Sequence, residues 1–148
     1  MNLLKKKDPT RAKRTSFSQA EAMAAIAVAA VAADGKILEV ETERSLLLLS
    51  QLEIFKGFSE PKIIKIVDKL FNILNHKGLN NLVAIANESL QSKYKETAFR
   101  VATDLVFVDG EFSGSEQVFL KNLREVLDIP VETAGAILDA KIEEYKVV

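Results

Sequence analysis

The sequence predicts an all-α fold, and three observations support that prediction. Apolar residues recur at helical spacing along nearly the whole 148-residue chain, and no segment shows the strict alternation of a half-buried strand. At Ser18 and at Ser113 a serine is followed three residues later by glutamate, which is typical of a helix N-terminus. Glycine and proline interrupt the pattern at short intervals. We therefore expect a compact bundle of about seven helices joined by short connections.

Most of the predicted helices have a recognisable start or stop. Ser18 begins the first, and its nine alanines between Ala20 and Ala33 make it slim, so we expect neighbours to approach it closely at the centre of the domain. Ser59 begins the third, with Pro61 in its first turn, and Gly78 ends it. The predicted helices are Ser18–Ala33, Glu39–Glu53, Ser59–His76, Leu79–Gln91, Tyr94–Val108, Gly114–Leu127 and Val131–Tyr145.

The chain divides into a short basic tail, residues 1–16, and one helical domain, residues 17–148, which is long enough to bury a substantial core. Residues 1–14 hold six basic side chains against one acid, so their net charge is +5 and the remainder of the chain carries −6. Because aromatic residues are not interleaved with these charges, we expect a solvated, mobile tail and no nucleic-acid partner, while attraction to anionic lipid stays open. The basic residues are Lys5, Lys6, Lys7, Arg11, Lys13 and Arg14.

Composition argues against several classes of function. Without cysteine the chain has no disulfide, no thiolate nucleophile and no cysteine-based zinc site. Its longest apolar stretch, residues 23–33, is mostly alanine and too short to span a bilayer. It has no glycine-rich phosphate loop, and its single histidine, His76, is expected to cap a helix end. We therefore expect a cytoplasmic, non-enzymatic protein, with hydrolysis by paired carboxylates as the weaker alternative.

An eight-residue motif occurs twice, 75 positions apart. DGKILEVE spans residues 34–41 and DGEFSGSE spans residues 109–116, and each ends in a glutamate seven positions after its aspartate. The match extends over 29 positions, which indicates two helix–turn–helix repeats related by a pseudo-twofold axis. The matched residues are Ile26 with Val101, Asp34 with Asp109, Gly35 with Gly110, Ile37 with Phe112, Glu41 with Glu116, Leu48 with Leu123, Leu52 with Leu127 and Ile54 with Ile129.

The motif has the form of the second part of an EF-hand calcium loop, but the first part is missing. If Asp34 were the fifth loop position, Ala30 and Ala32 would stand at the first and third, where carboxylate ligands are expected. In the second copy those positions are Leu105 and Phe107. We therefore expect no independent EF-hand site.

One interpretation of the repeated acids is purely structural. Ser113 and Glu116 form a capping box, and the glycines Gly35 and Gly110 end the preceding helices with a positive φ. The apolar residue of each motif, Ile37 or Phe112, then fills the core.

The other interpretation is a shared metal site. Aspartate at a helix C-terminus is locally unfavourable, which helix capping does not explain. If a pseudo-twofold axis brings the two turns together, their carboxylates surround one point and favour a hard divalent cation. The predicted ligands are Asp34, Glu41, Asp109 and Glu116, with Asp104 as a further candidate. The cation is left open among Ca²⁺, Mg²⁺, Mn²⁺ and Zn²⁺.

The stretch AAVAADGKILEVETERSLLLLSQL, residues 29–52, resembles the signature of the TerB-like tellurite-resistance family. In that family an alanine-rich helix leads into an Asp-Gly turn, an Ile or Val, and a Glu-led amphipathic helix. The second copy, ATDLVFVDGEFSGSEQVFLKNLREVLDI, is similar to the second half of the family, so the resemblance covers residues 18–145.

This resemblance implies an all-α, pseudo-symmetric, non-enzymatic module of bacterial stress response. It implies protein partners from a resistance system, including membrane-associated ones, and a place at the inner face of the membrane. The acidic metal ligands of the family correspond here to Asp34, Glu41, Asp109 and Glu116, whereas Lys36 opposite Glu111 departs from symmetry. The alternative is a structural helical adaptor or co-chaperone-type interaction domain without metal. Neither interpretation predicts an oligomeric state.

Overall fold

A computed structural model describes residues 16–37, 39–108 and 112–147, with side chains described as far as residue 144. Within these ranges the chain forms seven α-helices and no strand, so the all-α prediction is confirmed. Residues 1–15 of the predicted tail, Asp109 and Gly110 lie outside the described residues. The helices are α1 (Gln19–Val31), α2 (Glu39–Gln51), α3 (Glu60–Lys77), α4 (Leu79–Ser89), α5 (Lys95–Val106), α6 (Gly114–Leu127) and α7 (Val131–Val147).

The predicted helix starts are confirmed at three serine caps. The Oγ of Ser18 accepts a hydrogen bond from Glu21 N–H at 3.1 Å, and the Oγ of Ser59 accepts one from Lys62 N–H at 3.3 Å. Ser113 caps α6 in the same way. Each cap satisfies a backbone donor that the first helical turn leaves without an intrahelical partner.

Several predicted C-terminal ends extend past the observed ones. The sequence predicts that the first helix reaches Ala33, but α1 ends at Val31. Beyond it the backbone tightens, because Ala33 N–H bonds Ala30 carbonyl and Gly35 N–H bonds Ala32 carbonyl, each three residues back. These bonds span three residues, whereas those of an α-helix span four. The chain therefore forms a tight turn at Asp34 and Gly35 and does not continue the α-helix.

Helix α1 forms the centre of the domain, as its alanine content predicts. All of its residues from Ala22 to Val31 are buried, so it has no solvent-facing side. It packs against α2, α3, α4 and α5, which surround it. A helix that is apolar on every side is stable only when neighbours cover it completely, and the small alanine side chains let those neighbours approach closely.

The apolar residues of the two motifs have different environments. Phe112 is partly buried and stacks on Phe107 with the ring centroids 4.5 Å apart. The prediction that Ile37 fills the core is wrong, since 53% of its surface is exposed. The preceding turn is closed by a hydrogen bond from Lys36 N–H to Asp34 Oδ1, and Ile37 follows it on the solvent side.

None of the helices in the described ranges is both long enough and apolar enough to cross a membrane.

Candidate metal centre

Three of the predicted ligands meet where α2 and α6 begin. Glu41 lies in the first turn of α2, Glu116 lies in the first turn of α6, and Asp34 lies in the turn that follows α1. One carboxylate oxygen from each residue lies within 4.8 Å of those from the other two. Residues 75 positions apart in the sequence therefore face one another in the fold.

The two glutamates are buried, whereas acidic residues in the first turn of a helix are usually exposed to solvent. Glu41 is 0% exposed and Glu116 is 1% exposed, whereas Asp34 is partly exposed. Glutamate is almost never fully buried unless it is paired or bound. The group is thus a buried pair of carboxylates with the third, Asp34, at its solvent-facing side.

Glu116 also performs the capping role that the sequence predicts. Its Oε1 accepts a hydrogen bond from Ser113 N–H at 3.0 Å, while Ser113 Oγ accepts one from Glu116 N–H at 3.2 Å. Glu21 forms the same capping box at the start of α1, and its second oxygen lies 2.8 Å from Lys69 Nζ. The capping geometry explains why glutamate begins both helices, but it does not explain why Glu116 is buried beside two further carboxylates.

Electrostatics make this arrangement unfavourable when all three groups are ionised and no positive charge balances them. Two like charges 4.8 Å apart repel by about 3 kcal/mol at an effective dielectric constant of about 20. The N-terminal dipoles of α2 and α6 each stabilise a nearby carboxylate by about 0.3–1 kcal/mol at an exposed position and by up to about 2 kcal/mol at a partly buried one. A cation bound among the three carboxylates would offset their mutual repulsion.

The donor set favours a hard cation. All three side chains offer oxygen, and no histidine or cysteine belongs to the group. Oxygen ligands lie about 2.3–2.6 Å from Ca²⁺ and about 2.0–2.1 Å from Mg²⁺, so three oxygens within 4.8 Å of one another are compatible with either ion. Zn²⁺, which prefers nitrogen and sulfur ligands, matches this set less well.

Asp104, the fifth predicted ligand, does not belong to this group of three. Its carboxylate accepts hydrogen bonds from Arg44 Nε at 2.9 Å and from Lys141 Nζ. These partners lie 60 and 37 positions away, on α2 and α7, so no local sequence pattern identifies them. Asp104 thus joins three helices through ion pairs.

The pKa values in this ion-pair network follow from its contacts. Burial alone would raise the pKa of Asp104, but hydrogen bonds from Arg44 and Lys141 outweigh it and hold that pKa below its ordinary value. Burial opposes the charged form of Lys141 too, yet the hydrogen bonds to Asp104 and Glu144 raise its pKa. Both groups are therefore charged across the neutral range.

The remaining predicted site residues have the following positions. Asp109 and Gly110 lie outside the described residues, and Gly35 has the predicted positive φ, at 83°. Ala30, which would be the first ligand of an EF-hand, is buried inside α1, so the structure offers no such loop there. His76 is exposed in the last turn of α3, with Nδ1 2.8 Å from the carbonyl oxygen of Asn72, which agrees with a surface or capping role.

Comparisons of this chain with protein-family models, with curated proteins and with solved structures find no match.

Proposed function

We propose that this protein is a non-enzymatic helical interaction module whose two halves are joined by a hard divalent cation such as Ca²⁺ or Mg²⁺. The observation that carries the proposal is the group of Asp34, Glu41 and Glu116, with oxygens within 4.8 Å of one another and both glutamates buried. The TerB-like resemblance of the sequence points to the same kind of module, in tellurite resistance or a related stress response.

The bounds of the helices support two repeats. A shift of 75 positions takes the start of α2, Glu39, to Gly114, where α6 starts, and takes the end of α1, Val31, to Val106, where α5 ends. Glu41 and Glu116 occupy the third residue of their helices. The paired helices of the units α1–α2 and α5–α6 thus agree in length to within one residue, as a pseudo-twofold arrangement requires.

In the proposed mechanism the cation would bridge carboxylates of the two helix–turn–helix units. Without it, repulsion among the carboxylates pushes the starts of α2 and α6 apart. With it, the same carboxylates draw those starts together. The outer faces of α2 and α6 would then present, or withhold, a surface for a protein partner.

Calorimetric titration of Ca²⁺, Mg²⁺, Mn²⁺ and Zn²⁺ into the metal-stripped full chain tests the cation site. The informative variant is Glu116→Gln, because its side-chain oxygen can still accept the capping hydrogen bond from Ser113 N–H while the charge is removed. We expect at least one of these cations to bind the wild type, and its affinity to be weaker by roughly tenfold or more in the variant, since ligand charge sets affinity.

Glu21→Gln is the matched control, because Glu21 occupies the same capping position on α1 away from the acidic group. It should bind the cation as the wild type does. Absence of binding in the wild type, or equal binding in Glu116→Gln, would remove the cation from the proposal. Far-ultraviolet circular dichroism verifies that each variant retains its helices.

A structural adaptor without metal is the second candidate, and the capping box of Ser113 and Glu116 favours it. In that case the acids serve only to begin helices. Unchanged thermal stability on adding any of the four cations, together with higher stability of Glu116→Gln, would support this candidate.

A further inference from the structure

The helices α2 and α3 enclose a groove on the surface of the domain. Its volume is about 410 Å³, and it lies where the second half of α2 passes the start of α3. Leu46, Phe58 and Ile63 supply apolar surface, and Leu47 contributes a wall although 47% of its surface is exposed. Neighbouring Val40 and Ile64 are also exposed, so the apolar surface continues beyond the groove on both helices.

Three glutamates that form no ion pair with a described residue lie in or beside this groove. Glu43 and Glu60 line it, and Glu39 lies one helical turn before Glu43 on the same face of α2. None of these three acids forms an ion pair with a described residue. Lys62, whose Nζ lies 4.3 Å from the centroid of the Phe58 ring, is a basic residue at the α3 side. The charged residues that line the groove itself, Glu43 and Glu60, are both acidic.

We propose that this groove, called here the α2–α3 groove, binds a basic amphipathic helix from a separate protein. Apolar residues of the partner at positions i, i+3, i+4 and i+7 would contact Leu46, Leu47 and Ile63. Lysine or arginine beside those anchors would lie opposite Glu39, Glu43 and Glu60. From Glu39 to Ser50 the α2 wall extends about 16 Å, which matches three turns of a partner helix.

A second groove lies between α4 and α6, and its lining differs from that of the α2–α3 groove mainly in charge. It is larger, about 660 Å³, and includes the exposed Val118 and Val126, but Glu125 is its single charged lining residue. Its lining indicates no particular class of partner. The α2–α3 groove combines apolar surface with acidic residues, and this combination favours a basic amphipathic helix.

The test uses the full chain and two synthetic helical peptides of about 16 residues, each with leucine at i, i+3, i+4 and i+7. One carries lysine beside the leucines, and the other carries glutamate at the same positions. Fluorescence anisotropy measures affinity, and ¹⁵N chemical-shift mapping locates the contact. We expect the lysine peptide to bind and to shift the amides of Leu46, Leu47 and Ile63, and the glutamate peptide to bind at least about tenfold more weakly.

The protein variants supply the matched comparison. Glu43→Lys combined with Glu60→Lys should weaken binding of the lysine peptide by about tenfold, because two exposed attractions become repulsions. Glu125→Lys, which reverses a charge in the other groove, should leave that affinity unchanged. Equal binding of both peptides, contact mapped to α4 and α6, or no binding at about 1 mM would overturn the proposal.

Two further outcomes would assign the groove to a different occupant and also overturn it. In the free protein, the double variant could shift the amides of residues 3–7, which would make the chain's own basic segment the occupant. Alternatively, it could abolish a concentration-dependent dimer in sedimentation, which would make a second copy the occupant.

The inference rests on the proposed docking role and not on the cation, so peptide binding is measured both in chelator and in Ca²⁺. Binding in both conditions would preserve the docking site even if the cation site failed.

Discussion

At the residue scale, the turn that carries Asp34 depends on the glycine that follows it. Gly35 has a φ of 83°, a conformation that L-residues with a side chain rarely adopt, and it joins the end of α1 to the connection before α2. A Cβ added there would meet no atom within 4 Å, so the constraint comes from the backbone and not from crowding.

Gly35→Ala should therefore destabilise the protein by about 1–2 kcal/mol, which is the cost of the left-handed conformation for a residue with Cβ. Urea unfolding at equilibrium measures this change in the free energy of unfolding. Gly114→Ala is the control, because Gly114 begins α6 with equal space for a Cβ and without a positive φ. It should be neutral or slightly stabilising, and equal losses in the two variants would contradict this explanation.

At the scale of elements, α1 is held by close packing, and α7 combines apolar contacts of Ala134 and Ile137 with an ionic network. The network joins Arg44 of α2 and Lys141 of α7 to Asp104 of α5, whose side chain is 16% exposed. Partial burial makes such a pair stronger than a surface pair, and it also makes an unpaired member costly.

Ala27→Leu should destabilise the domain by about 1–3 kcal/mol, because added methyl groups at the fully buried centre of α1 force its neighbours apart. The comparison is Ala140→Leu at an exposed position of α7, which should change stability by less than about 0.5 kcal/mol. Thermal and urea unfolding measure both changes. A neutral Ala27→Leu would show that α1 is packed less closely than the structure indicates.

Asp104→Asn should lower the free energy of unfolding at neutral pH by about 1–3 kcal/mol, less than for a fully buried pair because its partners are partly exposed. The pKa of Asp104 is lowered in the folded state, so its contribution exists above the unfolded-state pKa of about 3.9 and is lost as pH falls through the lower folded value. The difference between wild type and variant should therefore shrink in strong acid.

Urea unfolding between neutral pH and strong acid measures that dependence. Glu96→Gln, which breaks the exposed pair with Arg100, is the control and should cost less than about 0.5 kcal/mol at neutral pH. A loss in Asp104→Asn that stayed constant down to strong acid would mean that packing, and not charge, causes the effect.

At the scale of the whole molecule, cation binding at the proposed site should stabilise both halves together. The site draws on the turn after α1, on α2 and on α6, so an ion bound there closes contacts between distant parts of the chain. A ligand that binds only the folded state raises stability by mass action.

Ca²⁺ at one hundred times its dissociation constant should add about 2.7 kcal/mol and raise Tm by roughly 5–10 °C in a chain of this size. Differential scanning calorimetry with and without chelator measures the shift. Glu116→Gln, with affinity at least about tenfold weaker, should show about half of that shift or less, while Glu21→Gln should show the full one. An equal rise in all three proteins would indicate cation binding elsewhere.

The sequence by itself predicts the helices because the signals that define them are local. Ser18, Ser59 and Ser113 begin helices through hydrogen bonds to residues three positions away, and the alanines of α1 indicate close packing through side-chain size alone. The repeated Asp-Gly motif likewise identifies Asp34, Glu41 and Glu116 as candidates through its spacing alone. Helix ends are predicted less accurately, because the tightening after Val31 depends on backbone hydrogen bonds that side-chain patterns do not record.

Only the tertiary structure decided which of those candidates meet. It brought Glu41 and Glu116 together in a buried group, directed Asp104 to Arg44 and Lys141, and left Ile37 in solvent. It also created the α2–α3 groove from residues that carry no motif. Capping depends on residues that are neighbours in the sequence, whereas charge clusters and grooves depend on how separate helices pack. The sequence therefore determined the helices, and the tertiary structure determined the acidic group, the ion pairs and the groove.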